Sequence, residues 1–431
     1  MREITFFLFL PPALGKPSNY GDQPSLMGFP KPFVHFTKAE PGRFASQKEC
    51  SMRRLFSLTL MGFLIACSSK TADAPATDPG ASQPSAEFPS FSLAWSEYPS
   101  WSVFGVASEI GIIDGDKGKV GPIEERWGVD IVLREADYDT CINLYGNGEV
   151  DAAALTNMDS LIPAASRPTV AILPTSTSFG ADALIVDGGI KSVDDLKGVP
   201  VYGLAKSVSE YVFARNLVIQ GLNPADFTFT NMDPGAAATA LQQKQEIRAI
   251  MVWNPFVLET LRRRADTHVL FDSTTIPGEV IDMVVMARGS LEKPGGENFA
   301  RAVIDAYYAF NLVMADPARH NEMLVALGSK FSNLGLEDME TVVKQTKFYA
   351  TPDLGLGVYD GSRLPGTMGL VSQFCVGRQI VSLSPTIGYG HQWSTPEATA
   401  PSYVFDSSYM LDVQRGGVYT QDVPIIPPPD K

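Results

Sequence analysis

Asn147-Gly148-Glu149-Val150-Asp151-Ala152-Ala153-Ala154-Leu155-Thr156-Asn157 aligns without gaps on Lys244-Gln245-Glu246-Ile247-Arg248-Ala249-Ile250-Met251-Val252-Trp253-Asn254. In each stretch a helical pattern ends, an acidic residue leads into an apolar strand, and the strand delivers an asparagine at its carboxyl end. Open α/β sheets bind ligands outside the carboxyl ends of their strands. Two such sheets facing one another place Asn157 and Asn254 on opposite walls of one cleft. The alternative is chance similarity between two βα units.

Outward from these stretches, short apolar runs alternate with helical patterns. Phe91–Trp95, Asp130–Leu133, Val150–Leu155, Thr169–Pro174 and Ala183–Val186 are predicted strands, with helices at Val103–Ile113 and Asp139–Gly146. A second set follows: strands Pro200–Gly203, Asp226–Asn231 and Ile247–Val252, with helices Ser209–Gln220 and Gly235–Gln245. Strands spaced by helices imply parallel βαβ units. Ile281–Ala287 is a further predicted strand, and Phe299–Met314, Asn321–Leu327 and Leu336–Phe348 are predicted helices.

The expected fold is α/β and two-lobed, with a cleft between two mainly parallel sheets and a hinge. Lobe one takes residues 91–185 and 281–383, lobe two takes 186–280, and the Pro- and Ser-rich residues 384–431 form an irregular tail.

The N-terminal region carries a different signal. Met52-Arg53-Arg54 opens a short apolar run that closes on Leu64-Ile65-Ala66-Cys67. A basic start, a run of about ten apolar residues and small residues before the cut spell a secretory signal peptide at 52–66. A cysteine directly after the cut is the bacterial lipoprotein pattern, so Cys67 is the expected lipidation site. The run is too short to cross a ~30 Å hydrocarbon layer as a helix. Residues 67–90 read as a flexible tether. Residues 1–51 read as an unstructured or wrongly translated extension.

The net charge of −14 disfavours nucleic acid and anionic membrane surfaces as partners. Of four cysteines, Cys141 and Cys375 remain beyond the anchor; an extracytoplasmic location permits a disulfide, and two separate buried thiols is the favoured reading. The four histidines show no metal-ligand spacing. Neither a Gly-x-Ser-x-Gly elbow nor a phosphate-binding Gly-Lys-Ser/Thr loop is present. No metal, cofactor or enzymatic activity is expected.

Gly189-Ile190-Lys191-Ser192-Val193-Asp194-Asp195-Leu196-Lys197-Gly198 resembles the segment that enters the second lobe of type II periplasmic substrate-binding proteins. The resemblance spans about Phe91 to Phe348 and is closest to the nitrate/sulfonate/taurine class of ABC-transporter binding proteins. Trp95-Ser96-Glu97-Tyr98, Thr156-Asn157-Met158-Asp159, Ser207-Val208-Ser209, Val252-Trp253-Asn254-Pro255 and Ile276–Asp282 are similar to binding proteins encoded beside urea carboxylase. The resemblance implies a monomer that captures a small solute, urea- or guanidine-like, and hands it to an ABC permease and its ATPase. The alternatives are nitrate, sulfonate/taurine or bicarbonate, and thiamine-pyrimidine precursor synthesis or binding on the same fold. Glu210 stands where that subgroup is expected to have histidine.

The candidate ligand residues are Glu97, Tyr98, Trp101, Asn157, Asp159, Ser207, Ser209, Trp253, Asn254 and Asp282. Tyr98 and Trp101 follow the first strand, where aromatic faces can cover a planar cation; the alternative for Trp101 is a core residue packed between strand and helix. Glu97 and Asp159 are hydrogen-bond acceptors for a cationic ligand or, alternatively, caps and loop carboxylates. Ser207 and Ser209 cap a helix whose N-terminus favours negative groups. Asp282 is a ligand or a hinge lock. Because Lys and Arg are missing from these stretches, an oxyanion finds no guanidinium or ammonium there. That favours a cationic or urea-like ligand.

Overall fold

The computed structural model describes residues 88–331, 334–391 and 400–420. The expected extension 1–51, signal peptide 52–66, lipidation site Cys67 and nearly all of the tether lie outside the described residues. Thirteen strands follow in chain order among those described: β1 (Ser90–Trp95), β2 (Asp130–Glu135), β3 (Ala152–Thr156), β4 (Thr169–Ser178), β5 (Asp182–Asp187), β6 (Val201–Gly203) and β7 (Phe229–Asn231). Then come β8 (Ala249–Trp253), β9 (Thr267–Asp272), β10 (Ile281–Ala287), β11 (Thr346–Phe348), β12 (Ile387–Tyr389) and β13 (Tyr403–Phe405).

They form two sheets. The first runs β12-β13-β4-β10-β3-β1-β2, with β11 beside β4; the second runs β7-β6-β8-β5-β9. Every residue of β3, β4 and β10 is buried. Strands covered on both faces read as near-continuous apolar runs, as Ala152–Leu155, Val170–Pro174 and Met283–Ala287 do within them. The two strands of the internal echo, β3 and β8, each sit inside a different sheet.

Both sheets are mixed, with parallel pairs in the majority in the first and matched by antiparallel ones in the second. β1 pairs in parallel with β2 and β3, and β6 with β7 and β8. Besides β11 against β4, the antiparallel pairs arise where the chain changes lobes. β10 returns from the second lobe and runs against β3 and β4. β5, the first strand to enter the second lobe, runs against β8 and β9.

Membership of β5 in the second sheet also moves the expected boundary at 185 back to the 179–181 turn. There Gly180 has φ +102°, a conformation that costs glycine nothing and a side chain much. Its N–H donates to Ser273 Oγ at 2.7 Å, and Ser178 Oγ lies 2.7 Å from the same oxygen, so the two crossing segments are tied together.

The expected irregular tail 384–431 is a second correction. β12 and β13 extend the first sheet, with β13 parallel to β4, and a helix follows at Ser408–Gly416. Three fully buried residues, Tyr403-Val404-Phe405, carry this inside a Pro- and Ser-rich segment. The helix expected to reach Phe348 stops at Gln345, and residues 346–348 become β11. Ser90, assigned to the tether, already belongs to β1.

Candidate functional site

Nine residues from both lobes enclose a cavity: Tyr98, Trp101, Tyr138, Thr156, Val280 and Asp282 on one side, Asp182, Val208 and Trp253 on the other. Its volume is about 20 Å³, where one water needs roughly 10–15 Å³. The space in this form is that of roughly one or two waters.

The turn after β1 delivers Tyr98 and Trp101. Their rings lie 4.8 Å apart, and Trp101 stacks on Tyr138 at 5.3 Å with planes 15° apart. Tyr138 meets Trp253 of the second lobe edge-on at 5.9 Å. Four aromatic rings thus cross from one lobe to the other. The Tyr98 hydroxyl and the Trp101 indole N–H are buried and make no hydrogen bond. Unpaired buried polar atoms cost free energy, and here they edge a cavity.

Two aspartates, one from each lobe, line it. Asp282 is the second residue of β10 and Asp182 the first of β5, at 2% and 3% exposure. Burial drives the Asp282 carboxyl well above the carboxylate range and the nearby Asp182 adds to this, while the hydrogen bond that Ser176 Oγ donates opposes it. Asp182 is pushed up to about 6, first by burial and then by Asp159 and Asp272, against a lowering contact with Ser178. Lys, Arg and His are absent from the lining.

Asp159 stands directly behind this wall, fully buried. One of its oxygens accepts from Tyr138 Oη at 2.8 Å, Thr156 Oγ1 at 3.0 Å and Val208 N at 3.3 Å. Its other oxygen has no partner. Burial pushes this carboxyl up to about 6, partly offset by those hydrogen bonds.

Tyr98, Trp101, Trp253 and Asp282, of the ten expected ligand residues, line the cavity. Ser207 caps the helix Val208–Ile219, accepting from Ser209 N at 3.2 Å and donating to Leu204 O at 2.8 Å. Ser209 is fully buried with an unpartnered hydroxyl. Glu97 is exposed outside the cavity; partial burial, then Glu135, Glu259 and Asp233, raise its pKa. Glu210 is paired with Arg378 at 3.2 Å.

The two asparagines do not face a common cleft. Asn157 donates to Glu279 O and accepts from Ile281 N, both at 3.1 Å, pinning the segment that re-enters lobe one. Asn254 donates to Gln345 Oε1 at 2.7 Å. Each asparagine N–H also closes onto the strand that changes lobes, Asn157 onto Ile281 O and Asn254 onto Ala181 O. Asn157→Ala is therefore expected to destabilise the empty protein by about 2 kcal/mol, because the buried Ile281 N–H loses its acceptor. Thermal unfolding checks it; an unchanged midpoint with weakened solute binding would restore a contact role.

Asp182, Tyr138, Thr156, Val208 and Val280 were not anticipated. Asp182 lies in Gly180-Ala181-Asp182-Ala183, which carries no motif. Tyr138 left one signal, an aromatic at the start of a helix. Cys141 and Cys375 are free and buried, and burial pushes each thiol up to about 12. The described residues contain no group of His, Cys, Asp and Glu able to hold a metal, and no helix long and apolar enough to cross a membrane.

No protein-family model and no curated protein matches the chain. Among solved structures it is similar to the periplasmic aliphatic sulphonate binding protein of Escherichia coli, with TM-score 0.54 and 17% identity over 70% of this chain and 90% of that one. The alkanesulfonate-binding protein of Xanthomonas axonopodis pv. citri, bound to MOPS, gives 0.53 and 15% over 69% and 95%. A Candida albicans gene product described as having the generic periplasmic binding protein fold gives 0.51 and 14% over 79% and 99%. At such identities the likeness is one of fold. The chain has the periplasmic binding protein fold.

Proposed function

We propose that this protein is an extracytoplasmic solute-binding component of an ABC importer that captures a small planar nitrogenous cation of the guanidine type. The observation carrying this is the cavity itself: two buried carboxyls from opposite lobes, four aromatic rings and no basic residue. A guanidinium matches carboxylates in bidentate fashion and gains roughly 0.5–2 kcal/mol over an aromatic face. Closure of the lobes about the crossing segments would bury it, and the closed form would dock on a permease with its ATPase. Cys67, lipidated, would hold the monomer at the outer face of the membrane. Similarity to sulphonate-binding structures supports a second reading, an oxyanion ligand, which the acidic lining opposes.

Calorimetry with guanidinium, urea, nitrate, bicarbonate and taurine tests it. The expected order is guanidinium over urea, with the three others weakest; tight nitrate or taurine binding without a guanidinium response overturns it. The pH dependence has a defined sign. Asp182 holds its proton up to about pH 6 when folded, against a reference of 3.8, so the folded state binds more protons through that window. Stability of the empty protein from this group is present below the window and is lost as pH rises through 6. A bound cation needs the ionised carboxyl. The melting-temperature gain from guanidinium should therefore grow from pH 5 to pH 8; a gain that shrinks would reject the carboxyl contact.

A further inference from the structure

The helix Val208–Ile219 points its N-terminus at the cavity wall, and that position has an occupant supplied by the opposite lobe. Its first backbone N–H, on Val208, donates to Asp159 at 3.3 Å. Tyr138 Oη and Thr156 Oγ1 donate to the same carboxylate oxygen at 2.8 and 3.0 Å. Three donors from three elements thus converge on one negatively charged oxygen at a helix N-terminus, the arrangement that elsewhere holds phosphate, sulfate or carboxylate ligands. Tyr138, Thr156 and Val208 all line the cavity as well, so only their side of the wall separates Asp159 from the solute.

Two further atoms show that this arrangement is not closed on itself. Asp159 is fully buried with one oxygen unpartnered, and Ser209, the next residue of the helix, is fully buried with its hydroxyl unpartnered.

We propose that Asp159 is a specificity-determining residue: its side chain is a built-in anion that occupies the oxyanion position at the N-terminus of Val208–Ile219 and excludes oxyanion solutes from the cavity. This deepens the cation reading of the same site. The fold keeps a donor set suited to an anion, and the chain fills it with its own carboxylate. The remaining wall, with Asp182 and Asp282, is left to a solute of opposite charge.

The test removes the built-in anion and supplies a free one. Asp159→Ala vacates the position, and Asp159→Asn keeps its shape without the charge. Formate and nitrate are the probes, titrated by calorimetry and by thermal shift at low salt. Each variant is measured alone and with Asp182→Asn, which takes away a neighbouring negative charge. Formate or nitrate is expected to bind Asp159→Ala at least tenfold more tightly than wild type and to raise its melting temperature, leaving wild type unmoved. Asp159→Asn should show a smaller gain, and it carries the test if the alanine variant does not fold. Folded variants that gain no anion affinity in either background would overturn the proposal, as would wild type binding nitrate as tightly as Asp159→Ala. A purely structural Asp159 would lower the melting temperature without rescue by formate. Failure of the cation reading appears separately, as wild type that ignores guanidinium, and leaves the anion gain of the variants readable.

Discussion

Asp282→Asn and Asp182→Asn should each weaken guanidinium binding about a hundredfold, close to 2.7 kcal/mol, while raising the melting temperature of the empty protein at pH 8. The loss follows from removing one charge-assisted hydrogen bond inside a dry cavity, where such bonds contribute about 1.5–3 kcal/mol. The opposite effect on stability follows from burial. An ionised carboxyl at 2–3% exposure is poorly solvated, and Asp182 and Asp282 repel one another across the same space. An amide of the same shape removes that repulsion and still accepts from Ser176 at position 282. Calorimetry and thermal unfolding read the two effects on the same samples. A variant that loses both affinity and stability would make its carboxyl a structural element; one that keeps its affinity would not be a contact.

Trp101→Ala is expected to abolish measurable binding and to lower the melting temperature by on the order of 10 °C, from about 3–5 kcal/mol of lost packing. The indole is 3% exposed and stacked against Tyr138. That loss alone does not separate a wall of the site from a member of the core. Trp101→Phe does, because it keeps a ring in the stack and reduces the π face. Its melting temperature should stay within a few degrees of wild type. Its guanidinium affinity should fall about three- to tenfold, as a weaker cation–π contact requires, with urea affinity changed less. Equal losses for the charged and neutral solute would mean that the ring acts through shape alone.

Much of the fold was legible because alternation of apolar strands and helical patterns is a local property. The run Ile281–Ala287 matches β10 residue for residue. The echo between Asn147–Asn157 and Lys244–Asn254 correctly placed one buried strand in each sheet. Its reading for function differs from the contacts for an instructive reason: both asparagines sit where the chain, having just crossed between lobes, enters the strand that pairs with their own, so the repeat records a shared requirement of folding. Their side chains hold Glu279 and Ile281 in one case and Gln345 in the other.

Tyr98, Trp101, Trp253 and Asp282, the four expected ligand residues that line the cavity, could be picked from their places at strand ends and from the resemblance of the stretches that hold them. Asp182 could not, since nothing adjacent distinguishes it from a loop carboxylate before a strand. The tail failed for the opposite reason. Tyr403-Val404-Phe405 is too short a run to outweigh the surrounding Pro and Ser, and its burial depends on β4 offering an open edge.

The sequence by itself determined most of the elements, their alternation and the two-sheet organisation, because periodicity and side-chain size act over a few residues. Tertiary structure alone decided which carboxyls meet. Asp182 and Asp282 stand a hundred positions apart, and they share a cavity only because the chain crosses between lobes twice and the two crossings lie side by side. The direction in which the first residue of β5 points is set by the turn at Gly180 and by pairing with β8 and β9. The charge of the site therefore emerges from long-range closure, where low dielectric and mutual repulsion give two ordinary aspartates properties that neither has in the unfolded chain.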